Sequence, residues 1–153
     1  MCLNNWGGID HKVLEFHEYV NLFSGKSGSG KSTVMDAIQV ILYGSFSPSF
    51  LNKAADDAKN RRSVLSYLRG EQKDGSANRK DCDFCSVIAL EIEDTGTHII
   101  TCIGIAFEVR KSDSEIKKFV YFSHSGKMPE SEYLTEQGVC YSNQEIKKLI
   151  SSR

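Results

Sequence analysis

A chain of 153 residues and 17.1 kDa has the size of one domain, or of one large lobe of a bigger one. With 40% hydrophobic and 25% charged residues it excludes wholesale disorder, and a net charge of −1 excludes a global polycationic signature for nucleic acid. The longest apolar-leaning run, residues 98–109, is too short to cross a bilayer, and no basic-then-apolar leader opens the chain, so the expectation is a soluble protein.

Residues 6–9 and 12–23 read as strands, the second leading into a glycine-rich run at 25–30. A helix follows over 31–43, with Val34, Ile38, Ile41 and Leu42 as its buried stripe and Gly44 as its stop. Residues 45–85 have no clean period but concentrate basic charge. Between Lys53 and Lys80 eight Lys and Arg face four Asp and Glu, a local +4 that leaves −5 for the rest. A solvated face explains such a run, and so does a phosphate-bearing partner. From Ser86 the period becomes two, and strands over 86–93, 97–110 and 118–123 form an antiparallel meander with a turn at Asp94, Thr95 and Gly96. At the end, Ser142 and Glu145 have the spacing of a capping box, with Ile146, Leu149 and Ile150 on one helical face.

The odd count of five cysteines, with no export signal read, argues for reduced thiols in a cytosol. Cys82 and Cys85 have CxxC spacing, but one pair lacks the other two ligands a structural zinc needs. His11, His17, His98 and His124 show no ligand spacing.

The segment that carries chemistry is GKSGSGKS over 25–32, which satisfies GxxxxGK[ST]; with this composition a chance match has odds of about one in a hundred. The apolar residues 20–23 before it and the amphipathic helix after it supply the strand–loop–helix setting the motif requires. Gly25, Lys26, Ser27, Gly28, Ser29 and Gly30 let backbone N–H groups face phosphate oxygens at the positive end of the helix. Lys31 is placed to reach β- and γ-phosphates, Ser32 to ligate Mg²⁺ and Thr33 to approach the α-phosphate, so ATP and Mg²⁺ are the expected ligands. The acidic metal ligand at the end of a second buried strand is not found. Residues 90–94, its nearest look-alike, alternate with charges, and neither 23–25 nor 123–126 makes a signature loop, so no catalytic residue is identified.

With Asn5 and Trp6, NLFSG at 21–25, GSGKST at 28–33 and DAIQ at 36–39, the chain resembles the N-terminal half of an SMC-type ABC ATPase head. FLNKAA at 50–55, RSVLSYLRG at 62–70 and SVIALE at 86–91 are similar to MukB-like ATPases of plasmid-defence condensins, the Wadjet JetC type often labelled SbcC-like. The resemblance covers essentially the whole chain. It implies an α/β fold: the N-terminal lobe of an ABC-type P-loop head with an antiparallel β subdomain, an incomplete domain. Residues 1–44 would be strands, P-loop and first helix, 45–85 a basic insertion, 86–124 the meander and 125–153 a connector and the start of a helix. The implied partners are a C-terminal half bearing signature and Walker B, a second head, DNA and a kleisin-type protein, with no membrane. The implied place is a bacterial cytoplasm, near the nucleoid, and the chain reads as a fragment that binds ATP without hydrolysing it alone.

Several residues keep more than one reading. Trp6 could stack on adenine or pack in the core, and Arg61, Arg62 and Arg69 could line DNA, approach a nucleotide or face solvent. Gln39 sits in the first helix, too near the P-loop to serve as a metal-contacting glutamine, and reads as helix surface, which leaves Gln72, Gln137 and Gln144. A self-contained small P-loop kinase and a non-hydrolysing nucleotide-binding module are the rival functions; the kinase would want a parallel sheet.

Overall fold

In the computed structural model, residues 1–26, 28–45, 51, 63–71 and 75–152 are described. Five strands form one antiparallel sheet in the order β2-β1-β3-β4-β5. They are β1 (Cys2–Trp6), β2 (Ile9–Val13), β3 (Phe84–Glu93), β4 (Ile100–Val109) and β5 (Lys118–Ser125). The meander is therefore continuous with the N-terminal strands, because β1 pairs with β3 through Cys2↔Ala89, Leu3↔Ile88 and Asn4↔Val87.

Alternation divides the side chains between two faces. Leu3, Ile88, Ile105 and Phe107 meet helices α1 (Lys31–Tyr43) and α2 (Val64–Arg69) on one face. Cys2, Val87, Ala89, Ala106 and Phe122 meet Tyr133, Cys140 and helix α3 (Asn143–Ser151) on the other. Asn5 interrupts the alternation of β1. It adopts a left-handed backbone (φ 55) and its amide donates to Cys85 O at 2.7 Å. As a result Trp6 joins Leu3 in the core that packs against α1.

The helix bounds 31–43 and the left-handed Gly44 cap agree with the sequence reading. So does the capping box of α3, in which Ser142 and Glu145 bond reciprocally. Asp94 makes the expected turn, its carboxylate accepting from the N–H groups of Gly96 and Thr97.

Three expectations are corrected. The first strand is not 6–9: Gly7 and Gly8 form the two-residue turn of a β1–β2 hairpin, a glycine-pair signal that takes precedence over the apolar flanks. The second strand stops at Val13, and 20–23 is not a strand. The Met1 ammonium and backbone hold Leu14 through two bonds of 2.7 and 2.8 Å. Beyond it no ladder partner lies alongside among the described residues, and Val20 (77%) and Leu22 (88%) are exposed. Apolar composition makes a strand only where another strand completes its hydrogen bonds. The buried stripe of α1 is also rotated. It comprises Val34, Ala37, Val40 and Ile41, while Leu42, about 140° around from Ala37 at 3.6 residues per turn, is exposed.

The helix α2 falls where the sequence showed no period. Six residues are too few to display one. Its ends are nonetheless marked by Ser63, whose hydroxyl accepts from Ser66 N–H, and by the left-handed Gly70.

Candidate nucleotide-binding site

The α1 N-terminus opens into a cleft of about 810 Å³. One wall is Gly28, Ser29, Gly30, Lys31, Ser32 and Thr33; the other is Gly7, Gly8 and Ile9 of the hairpin with Ser66, Tyr67, Gly70 and Glu71 around the end of α2. Gly30 is the N-cap with φ 87, a left-handed conformation that an L side chain resists. Among the described residues no side chain caps this end, and no acidic residue lies in its first turn. The orphan N–H groups and the positive dipole end are thus left for an anion.

Lys31 folds back over the loop, its ammonium donating to Gly25 O (2.7 Å), Lys26 O (2.9 Å) and Ser29 Oγ (3.3 Å). These are exposed, exchangeable contacts of the kind a phosphate oxygen replaces with a stronger, charge-assisted bond. Gly25, with φ 151, sits against Ser29, and Ser29 N–H closes the loop on Lys26 O. Ser32 is exposed and lines the cleft beside Lys31. The donor set fits a nucleotide phosphate chain, and Ser32 offers one oxygen of the kind Mg²⁺ takes alongside phosphate oxygens and water. Ser27 lies outside the described residues.

The helix is aimed by residues behind the cleft. Trp6 is fully buried; its ring stacks on Tyr67 (centroids 5.3 Å, 12°) and its indole N–H donates to Thr33 O at 2.8 Å. Of its two readings, core packing is the one the structure bears out. Tyr67 O–H donates to the carboxylate of Asp36, which is buried in α1. Arg79 is buried against Phe84 and donates to Gly7 O, to Leu68 O (2.9 Å) and to Asp10 Oδ1 (2.7 Å). Burial pulls its guanidinium below the ordinary value, while Asp10 opposes that shift. Sequence reasoning missed these groups. On the stripe read from the sequence Asp36 falls on the solvent side, so no local signal marked it.

Arg69 turns toward the protein rather than the solvent. Its Nη2 donates to Asp113 O (2.7 Å) and Lys111 O (3.1 Å) in the β4–β5 connector. Arg61 and Arg62 lie outside the described residues, as do Lys53, Lys59, Gln72 and Lys73 of the basic stretch. Gln39 is half-buried in α1, and its Oε1 has no hydrogen-bond partner among the described residues. Residues 90–94 close β3 away from the cleft, with Glu91 accepting from Met128 N–H. Cys82 is exposed, whereas burial on the α3 face pushes the Cys85 thiol up to about 11. No helix among the described residues is long and apolar enough to cross a membrane.

Residues 1–58 match the family model described as the P-loop containing region of AAA domain. The chain carries a P-loop region. It is also similar to the C component of the nuclease SbcCD from Staphylococcus haemolyticus (strain JCSC1435), at 33% identity over 72 residues, 44% of this chain and 6% of that relative. The chain thus aligns with only a small part of the curated relative it matches.

Proposed function

We propose that this chain binds ATP–Mg²⁺ at its P-loop and serves as the N-terminal part of an SMC-like, SbcC-type ATPase head that acts on DNA. The observation that carries this reading is the uncapped α1 N-terminus, with Lys31 poised over a glycine-framed loop in a cleft of about 810 Å³. The similarity to a component of the SbcCD nuclease supports the finer assignment.

In this reading the ammonium of Lys31 leaves the carbonyls of Gly25 and Lys26 for the β- and γ-phosphates. The N–H groups of residues 28–33 would donate to phosphate oxygens, and Ser32 Oγ would offer one oxygen to Mg²⁺, which would supply charge to offset that of the phosphates. The described residues bring no carboxylate to the cleft beyond Glu71, on the wall opposite the lysine. Hydrolysis is accordingly assigned to a complete head, with Walker B and signature supplied by a C-terminal half and a second head across the nucleotide. The exposed apolar residues Tyr19, Val20 and Leu22 just before the P-loop are where that C-terminal half would add a neighbouring strand. Within this class we favour the MukB-like, Wadjet JetC type, with a kleisin-type partner and a role in plasmid defence or chromosome maintenance near the nucleoid. DNA contact is assigned to the stretch containing Arg61 and Arg62; Arg69 has the structural engagement described above.

Calorimetry of ATP–Mg²⁺ binding tests the reading. Lys31→Ala should weaken affinity by about 2–3 kcal/mol, the worth of charge-assisted contacts. Equal affinity of the two proteins rejects it. The chain alone should release no phosphate beyond its Lys31→Ala control; Lys31-dependent turnover would instead favour a self-contained NTPase or kinase.

A further inference from the structure

We propose that Tyr67 is a positioning residue that locks α2 to the phosphate-binding helix, so that nucleotide in the cleft is felt along α2 as far as the β4–β5 connector. This rests on the nucleotide-binding reading above and adds a regulated element to the same site.

Tyr67 joins the two walls of the cleft at their back. Its O–H donates to Asp36, one helical turn beyond Ser32. Its ring lies on Trp6, whose indole N–H holds Thr33 O at 2.8 Å in the first turn of α1. Its carbonyl accepts Gly7 N–H at 3.0 Å, tying in the hairpin turn that lines the same cleft. Two links from one side chain therefore reach the first two turns of the helix whose N-terminus faces the phosphates.

Asp36 is the telling partner. A carboxylate taken into a helix face among Val34, Ala37, Val40 and Ile41 carries a desolvation cost that an alanine or leucine there would not. Packing alone does not account for it, whereas a fixed register between α1 and α2 does. At the far end of α2, two residues beyond Tyr67, Arg69 grips Lys111 O and Asp113 O. Within its last three residues α2 is bonded to the phosphate helix at Tyr67 and to the connector at Arg69, so a tightening of the cleft is passed from one bond set to the other.

The experiment is hydrogen exchange on the full chain with and without ATP–Mg²⁺, in wild type, Tyr67→Phe and Asp36→Asn. Bound nucleotide should slow exchange at residues 31–34 in all three. In wild type it should also slow residues 64–71 and 110–113 by at least about fivefold, the lower end of ordinary coupling between sites. Tyr67→Phe keeps the ring and loses the donor, so that second slowing should fall below about twofold. Asp36→Asn keeps an acceptor for the phenol and should retain it. Intact slowing in Tyr67→Phe, or an α2 indifferent to bound nucleotide in wild type, overturns the inference and leaves nucleotide binding standing. Even where a variant does not fold, an α2 indifferent to nucleotide in wild type still overturns the inference. A wild type that binds no nucleotide at all is the distinct failure of the functional reading, and takes this inference with it.

Discussion

Gly7 is the residue on which the cleft turns most tightly. Its φ of 58 lies in the left-handed region, and a Cβ there would stand 2.6 Å from Thr33 Cγ2. Its N–H and carbonyl are held by Tyr67 O and by Arg79. Gly7→Ala should thus cost about 1–3 kcal/mol in denaturant unfolding, through backbone strain and a displaced first turn of α1, and should weaken nucleotide binding as well. Gly8 is the internal control. A Cβ there meets nothing within 4 Å, so Gly8→Ala should stay within about 0.5 kcal/mol of wild type. Equal losses in the two variants would show that the hairpin turn tolerates neither and that the contact with Thr33 is irrelevant.

At the scale of elements, α3 owes its start to side chains. Ser142 Oγ accepts from Glu145 N–H, and the Glu145 carboxylate accepts from Ser142 N–H at 2.7 Å and from its hydroxyl at 2.8 Å. Ser142→Ala should destabilise the protein by about 1 kcal/mol. The backbone N–H of Ser142, followed by its hydroxyl, holds the Glu145 carboxyl below its ordinary value of 4.5. A depressed carboxylate contributes stability that is complete above pH 4.5 and is lost as the pH falls through the lower folded value. The stability difference between wild type and Glu145→Gln should therefore be largest at about pH 7 and shrink steadily below pH 4.5; a difference constant with pH would rule this out. Elements like α3, α1 and the meander were legible because a period and a cap sit within a few neighbouring residues. The Lys31 loop was legible for the same reason. What was not legible depends on distant partners. The segment 20–23 has strand composition without a ladder, and Asp36 meets Tyr67 across 31 positions that share no local pattern. Arg79 counted as surface charge until Gly7, Leu68 and Asp10 were seen around it.

For the whole molecule, the exposed run of Tyr19 (86%), Val20 and Leu22 follows β2, the sheet's edge strand, in the chain. An apolar stretch next to an unpaired edge invites association, so the chain alone should self-associate. A Val20→Lys, Leu22→Lys double variant should lower its light scattering at equal concentration, and unchanged scattering would place the sticky surface elsewhere. The strand order has another consequence, one of timing. Cys2 finds its partner in Ala89, 87 positions later, which at about 5–20 residues per second on the ribosome is a wait of roughly 4–17 s. After it β3, β4 and β5 are neighbours in sequence and can pair as each emerges. The phosphate-binding residues are synthesised within the first 33 positions, yet the sheet behind their cleft waits for β3, about fifty positions later.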